Sequence, residues 1–121
     1  MHKPYLIDGF KFDLRIYVLV NGISPLRVYV FNDGLARFAT VKYQSPAPSN
    51  LSNLCMHLTN YAINKESVAF VQNSDAAADD VGSKRSYQHV LNVICSRFGS
   101  MTRDRIKNEI NDIIGKTLCL A

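Results

Sequence analysis

Residues 8–20, Asp-Gly-Phe-Lys-Phe-Asp-Leu-Arg-Ile-Tyr-Val-Leu-Val, decide how the chain folds. Phe10, Phe12, Leu14, Ile16, Val18 and Val20 fall on one side, and Lys11, Asp13, Arg15, Tyr17 and Leu19 on the other. That period of two is the pattern of a half-buried strand. One face has to pack, while the other carries Lys11, Asp13 and Arg15.

Downstream, Asn21, Gly22, Ser24 and Pro25 supply turn chemistry, and Leu26 to Phe31 reads as a second strand rich in β-branched and aromatic residues. Asn32, Asp33 and Gly34 predict a three-residue hairpin loop with Gly34 in the left-handed conformation. A third strand then runs from Leu35 to about Lys42. In that register Phe31 faces Leu35, Tyr29 faces Arg37 and Arg27 faces Ala39. A two-residue loop would pair Val30 with Arg37 and drive a guanidinium into the apolar side, which is costly for an unpaired charge. The expected sheet is therefore an antiparallel three-stranded meander with one greasy and one polar face, and Arg37 lies two strands from Lys11, Asp13 and Arg15.

Beyond the sheet, residues 44–54 contain Pro46 and Pro48 and read as a surface connection, and Cys55 to Lys65 as an ordered, mixed segment. Residues 72–83 have almost nothing to bury and read as a mobile loop, with Lys84 at its far end. Ser86 can cap a helix whose stripe is Tyr87, Val90, Leu91, Ile94 and Phe98, stopped by Gly99. Thr102 can cap another, with Ile106, Ile110, Ile113, Ile114 and Leu118 as its stripe. Both helices are expected to be packing elements without chemistry, giving an α+β chain overall.

The 121 residues, 47% hydrophobic and 20% charged, suit one globular domain and exclude a disordered tail, a collagenous repeat and a disulfide miniprotein. Cys55, Cys95 and Cys119 stand in no metal or redox spacing, and their odd number suits a reducing compartment. No apolar run approaches the roughly 20 residues of a membrane helix, and residues 1–9 lack the pattern of a secretory signal. The net charge is +4, with seven Lys and Arg against three Asp and Glu in residues 1–65 and seven against seven thereafter. The basic half suits an anionic partner: phosphate, nucleic acid or an acidic peptide.

Lys11, Asp13 and Arg15 project the same way over about 13 Å, enough to line an extended polyphosphate. The cations would neutralise phosphate oxygens and the aspartate would accept a hydrogen bond. A solvated face with cross-strand ion pairs is the alternative the pattern leaves open. The segment Met-His-Leu-Thr-Asn-Tyr-Ala-Ile-Asn-Lys adds His57, Thr59, Asn60, Tyr61 and Lys65, each of which also has a plain structural reading. No Gly-rich phosphate loop, zinc spacing, serine elbow or cysteine nucleophile context occurs.

LIDGFKFDLRIYVLV, LARFAT, CMHLTNYAINK and GSKR follow one another in this order. With them the chain resembles the tubulin tyrosine ligase-like family, and the wording of the first two is similar to its polyglutamylase branch. The likeness covers roughly residues 3–87 strongly and the two helices more loosely. It implies a partial ATP-grasp fold, with residues 1–121 as the central part of a catalytic domain incomplete at both ends. It also implies ATP-dependent ligation of glutamate to glutamate side chains or chains on tubulin C-terminal tails, through an acyl phosphate. A glycine-adding relative and a non-catalytic tail-binding pseudoenzyme are the alternatives.

The same resemblance assigns residues. Lys11, Phe12, Asp13, Thr59 and Asn60 would line the ATP site, and Arg15 would act in catalysis at the phosphates. Arg37, Tyr61 and Lys84 would hold the incoming glutamate; many relatives carry serine where Ala62 stands, which removes one hydrogen bond. Setting a carboxylate against a triphosphate costs about 1 kcal/mol per charge pair at 4 Å in water and about 4 kcal/mol near a protein surface. Fixed cations have to offset that. Mg2+ is expected as a cofactor, with its ligands outside this segment and no metal site within it. The implied partners are tubulin tails, microtubules and free glutamate, with no nucleic acid and no membrane. The implied location is the cytoplasmic cytoskeleton, with the cilium or basal body as a further expectation.

Overall fold

The computed structural model describes residues 3–72 and 82–119. It divides into two compact units, Met1–Tyr87 and Gln88–Ala121. The first holds β1 (Phe12–Ile23), β2 (Leu26–Phe38), α1 (Leu54–His57), α2 (Tyr61–Asn64) and β3 (Lys84–Ser86). Helix α3 (Tyr87–Phe98) starts at the boundary, and α4 (Met101–Cys119) lies in the second unit. The architecture is α+β, and the three strands form one antiparallel sheet in the order β1-β2-β3.

As far as Ile16 the alternation in β1 does what it predicts; beyond it Val18 and Val20, expected on the packed face, are exposed. Phe12 pairs with Phe38 and Leu14 with Ala36, while Asp13 pairs with Arg37 on the opposite face. The Phe12 and Phe38 rings stack at 5.3 Å, and Tyr5 meets Phe12 edge-on at 6.4 Å. Ile7, Ala36, Phe38, Ala39 and Met56 are buried, so the core of this unit lies beside the base of the hairpin.

The expected hairpin at Asn32, Asp33 and Gly34 does not form. Leu26–Phe38 is one strand, and the reversal between β1 and β2 falls at Ser24 and Pro25, where the turn chemistry of residues 21–25 predicts it. The three residues 31–33 of β2 oppose Tyr17 alone, between the pairs Ile16 with Gly34 and Val18 with Val30, so the turn-like sequence is a bulge. Gly34 is not among the glycines with positive φ. A Cβ there would lie 2.3 Å from the Arg15 carbonyl oxygen, so this glycine serves close strand approach rather than a left-handed turn. The predicted partners change accordingly: Leu35 faces Arg15, Tyr29 faces Leu19, and Arg37 faces Asp13 on the adjacent strand, not two strands away.

The third strand is β3, whose three residues are too few for a period to be read. Arg37 pairs with Lys84, Ala36 with Arg85 and Leu35 with Ser86. Lys84 therefore sits in the ladder and not on a loop end. Most of the loop expected at 72–83, residues 73–81, lies outside the described residues.

In the second unit, Gly99 with φ +95° ends α3, its N–H donating to the Cys95 carbonyl at 2.8 Å. Val90 and Leu91 are fully buried. Thr102 is not a cap: α4 starts at Met101, and the Thr102 hydroxyl donates back to the Phe98 carbonyl at 3.3 Å. No residue of α4 is fully buried, but Ile106, Ile110, Ile114 and Leu118 of its apolar stripe are half-buried, while Ile113 is 63% exposed. Arg103 donates to Gln88 at 2.9 Å and also to Asn92. Among the described residues no helix is long and apolar enough to cross a membrane.

Candidate functional site

Strand pairing puts Asp13, Arg37 and Lys84 in one row across the sheet, because directly opposed residues share a face. Lys11 and Arg15 flank Asp13 two residues away on either side and join that face. Five of the expected site residues thus gather on one surface of β1, β2 and β3.

Arg37 and Asp13 form a bidentate pair: Nε donates to Oδ1 at 3.1 Å and Nη2 to Oδ2 at 2.7 Å. The Arg37 side chain is only 14% exposed, and such a fork holds the guanidinium plane in one orientation. Arg15 is 4.0 Å from Asp13 and half exposed, so it is attracted to the carboxylate without being fixed by it. Lys11 donates to the carbonyl of His57 at 2.6 Å, which ties the polar face to the start of the His-Leu-Thr-Asn segment.

That segment carries the rest of the site. Arg37, Thr59, Tyr61 and Lys84 line one small cleft together with Phe38, Asn64, Phe70 and Ser83. The Lys84 ammonium sits 3.7 Å from the centroid of the Tyr61 ring, a cation–π contact worth about 0.5–1 kcal/mol at an exposed site. Tyr61 also meets Phe70 at 5.8 Å, and these two with Gln72 and Lys84 line a neighbouring cleft of about 150 Å³.

Two expected residues stand apart. The Phe12 ring lies on the opposite face, stacked on Phe38. Asn60 is exposed at the N-cap position of α2 and makes no side-chain cap bond. Thr59 lines the cleft and its neighbour Asn60 does not. Ala62, in place of the serine of many relatives, is exposed.

Sequence reasoning misses Asn64 and Thr40. Asn64 is 2% exposed and accepts from the N–H and hydroxyl of Thr40 at 3.0 and 2.9 Å. It donates to the carbonyls of Leu58 and Asn60 at 2.8 and 3.1 Å. The one signal is a polar residue inside a short helical turn, and its partner Thr40 is 24 residues away. His57 also has a structural use: Nε2 lies 3.1 and 3.2 Å from two oxygens of Asn50, and the ring meets Tyr43 edge-on. Among the described residues no group of three His, Cys, Asp or Glu side chains could hold a metal ion.

Arg37, Thr59 and Lys84 over the Tyr61 ring border a small cleft, and Lys11 and Arg15 lie elsewhere on the same sheet face; donors and cations of these kinds can receive carboxylate or phosphate oxygens. The sequence has counterparts among known proteins. Residues 1–121 match the tubulin-tyrosine ligase family throughout. The chain is 54% identical over 94 residues to a probable beta-tubulin polyglutamylase of Tetrahymena thermophila, covering 78% of this chain and 8% of that protein. It is 48% identical over 119 residues to human tubulin polyglutamylase TTLL6, covering 98% and 13%. Mouse tubulin monoglutamylase TTLL4 is 46% identical over 118 residues, covering 98% and 10%. The chain spans roughly a tenth of the length of these relatives. It belongs to the tubulin-tyrosine ligase family.

Proposed function

We propose that this chain is part of the catalytic domain of an ATP-grasp ligase that joins glutamate to glutamate side chains, or to growing glutamate chains, on tubulin C-terminal tails. The observation that carries the reading is the row Asp13, Arg37, Lys84 across three strands, with Arg37 and Lys84 sharing one cleft with Thr59 and Tyr61. Tubulin as the acceptor, and glutamate over glycine, follow the names of the relatives.

The residues present fit both substrates. Two of the five N–H donors of Arg37 go to Asp13, and the others can meet a carboxylate. Lys84 adds a point charge beside it, steadied by the Tyr61 ring. Lys11, with one of three donors on the His57 carbonyl, and the half-exposed Arg15 would hold phosphate oxygens of ATP together with Thr59. The Asp13 carboxylate is filled by Arg37, so toward the nucleotide it has only its remaining lone pairs to offer. ATP supplies a phosphoryl group to the γ-carboxylate of a tail glutamate, and the amine of free glutamate then displaces phosphate from the acyl phosphate. Arg15 would neutralise charge on the oxygens of the transferred group. Mg2+ would accompany ATP, and no residue of this chain is assigned to it. A tubulin substrate would put the activity in the cytoplasm at microtubules, those of cilia and basal bodies included.

The test is incorporation of labelled glutamate into tubulin by the complete protein with ATP and Mg2+. Lys11→Ala is expected to weaken ATP binding, and Arg37→Ala to raise the KM for glutamate far more than that for ATP. Tail binding without incorporation would favour the non-catalytic reading, and unchanged ATP affinity in Lys11→Ala would overturn the nucleotide assignment.

A further inference from the structure

We propose that Asn64 is a positioning residue, a latch that fixes Thr59 in the cleft relative to the strand carrying Arg37; its catalytic consequence rests on the ligase reading above. One side-chain amide has two donor hydrogens and two acceptor lone pairs, and Asn64 uses all four. The two donations go to the carbonyls of Leu58 and Asn60, the residues on either side of Thr59. The peptide bearing Thr59 is therefore held on both flanks.

The two acceptances come from Thr40, three residues beyond Arg37 and 8% exposed. One buried amide thus bridges two chain segments, each of which places a side chain in the same cleft. Lys11 adds a second tie to this segment through the His57 carbonyl. Asn64 also borders the cleft, but it is 2% exposed and both its donors and its acceptor oxygen are already engaged, so its effect on substrate passes through Thr59. A misplacement of about 1 Å at such a residue can lower turnover on the order of 10²-fold.

Asn64→Asp keeps the shape and the acceptor for Thr40. It replaces both donations by a carboxylate oxygen facing two carbonyls. Burial raises the pKa of such a carboxyl, so acidification protonates it and restores one donor. In the complete protein, with folding verified by circular dichroism, kcat for glutamate ligation is expected to fall on the order of 10²-fold in alkaline buffer. It should recover as pH falls relative to the unmutated protein, whereas Asn64→Ala falls alike and does not recover. Thr40→Ser should retain activity and Thr40→Val lose it, and this pair serves if the Asn64 variants do not fold.

A second readout needs no ligation: amide hydrogen exchange at Leu58 and Ile63, whose N–H groups donate to the carbonyls of Leu54 and Asn60, should quicken in Asn64→Ala, or in Thr40→Val, while that at Phe12–Ile16 stays unchanged. Unchanged kcat and KM in Asn64→Asp, or a pH profile parallel to that of Asn64→Ala, would overturn the proposal. If the unmutated protein ligates no glutamate, the ligase reading fails by itself. Exchange then decides for the latch alone, and undisturbed protection at Leu58 and Ile63 sinks it.

Discussion

At the Phe12–Phe38 end of the β1–β2 hairpin the aromatic rings stack, Ala36 is fully buried, and a third strand covers the edge. At the other end, Tyr17, Leu19, Tyr29 and Phe31 are each more than half exposed, and Ile23 is 87% exposed. Both ends have the same alternating, β-branched and aromatic composition, and both make antiparallel pairs. What separates them is the bulge at 31–33, beyond which no residue of β3 reaches. Pairing satisfies backbone hydrogen bonds, but only cover from further segments removes apolar surface from water. The site lies at the covered end, where β3 and the segment around α2 supply Lys84, Thr59 and Tyr61.

The comparison breaks most easily at Phe38, which is 4% exposed and touched by Phe12 on one side and the Arg85 guanidinium, 4.2 Å from its centroid, on the other. Phe38→Ala should cost about 3–5 kcal/mol. The measurement is the opening free energy of β2 amides by hydrogen exchange, which reads one region at a time. A cost below about 1 kcal/mol, within the ordinary range for surface changes, would mean that this end is no better packed than the other.

A smaller effect is expected at Gly34, on the border between the two ends. The added Cβ of Gly34→Ala would meet the Arg15 carbonyl oxygen at 2.3 Å, and backbone cannot yield as a side-chain end can. Strand separation there should cost about 1–3 kcal/mol. Because Arg15 and Asp13 lie on the displaced strand, KM for ATP should rise in the same variant. Unaltered exchange at Leu14–Ile16 in Gly34→Ala would show that the strands do not need this glycine.

Much of the covered end was legible in sequence. The period of two in β1 put Lys11, Asp13 and Arg15 on one face and Phe12, Leu14 and Ile16 on the other, as found. Arg37 reaches the polar face as expected, but for a different reason. The Asn32-Asp33-Gly34 signal reports local turn preference, whereas the chain uses it as a bulge because Gly34 lets two strands approach closely. Lys84 was found through family likeness, since three residues show no period. Asn64 was invisible because its role lies in a partner 24 residues distant, and local patterns carry no information on such a meeting.

The smallest effect is expected at the bare end. Leu19 is 63% exposed and pairs with Tyr29, itself 55% exposed, so a lysine at 19 can keep its stem along the ribbon and its ammonium in water. Leu19→Lys in this chain should change the opening free energy of β1–β2 amides by no more than about 0.5 kcal/mol. It should leave exchange at Asp13 and Arg37 unaffected, since substitutions more than about 7–10 Å apart with no shared partner act independently. The same substitution in the complete protein sharpens the contrast. A loss there of about 2–5 kcal/mol, the range for a large apolar side chain lost from a core, would mean that residues outside these 121 cover the ribbon. Equal and small losses in both would mean that the ribbon stays in water.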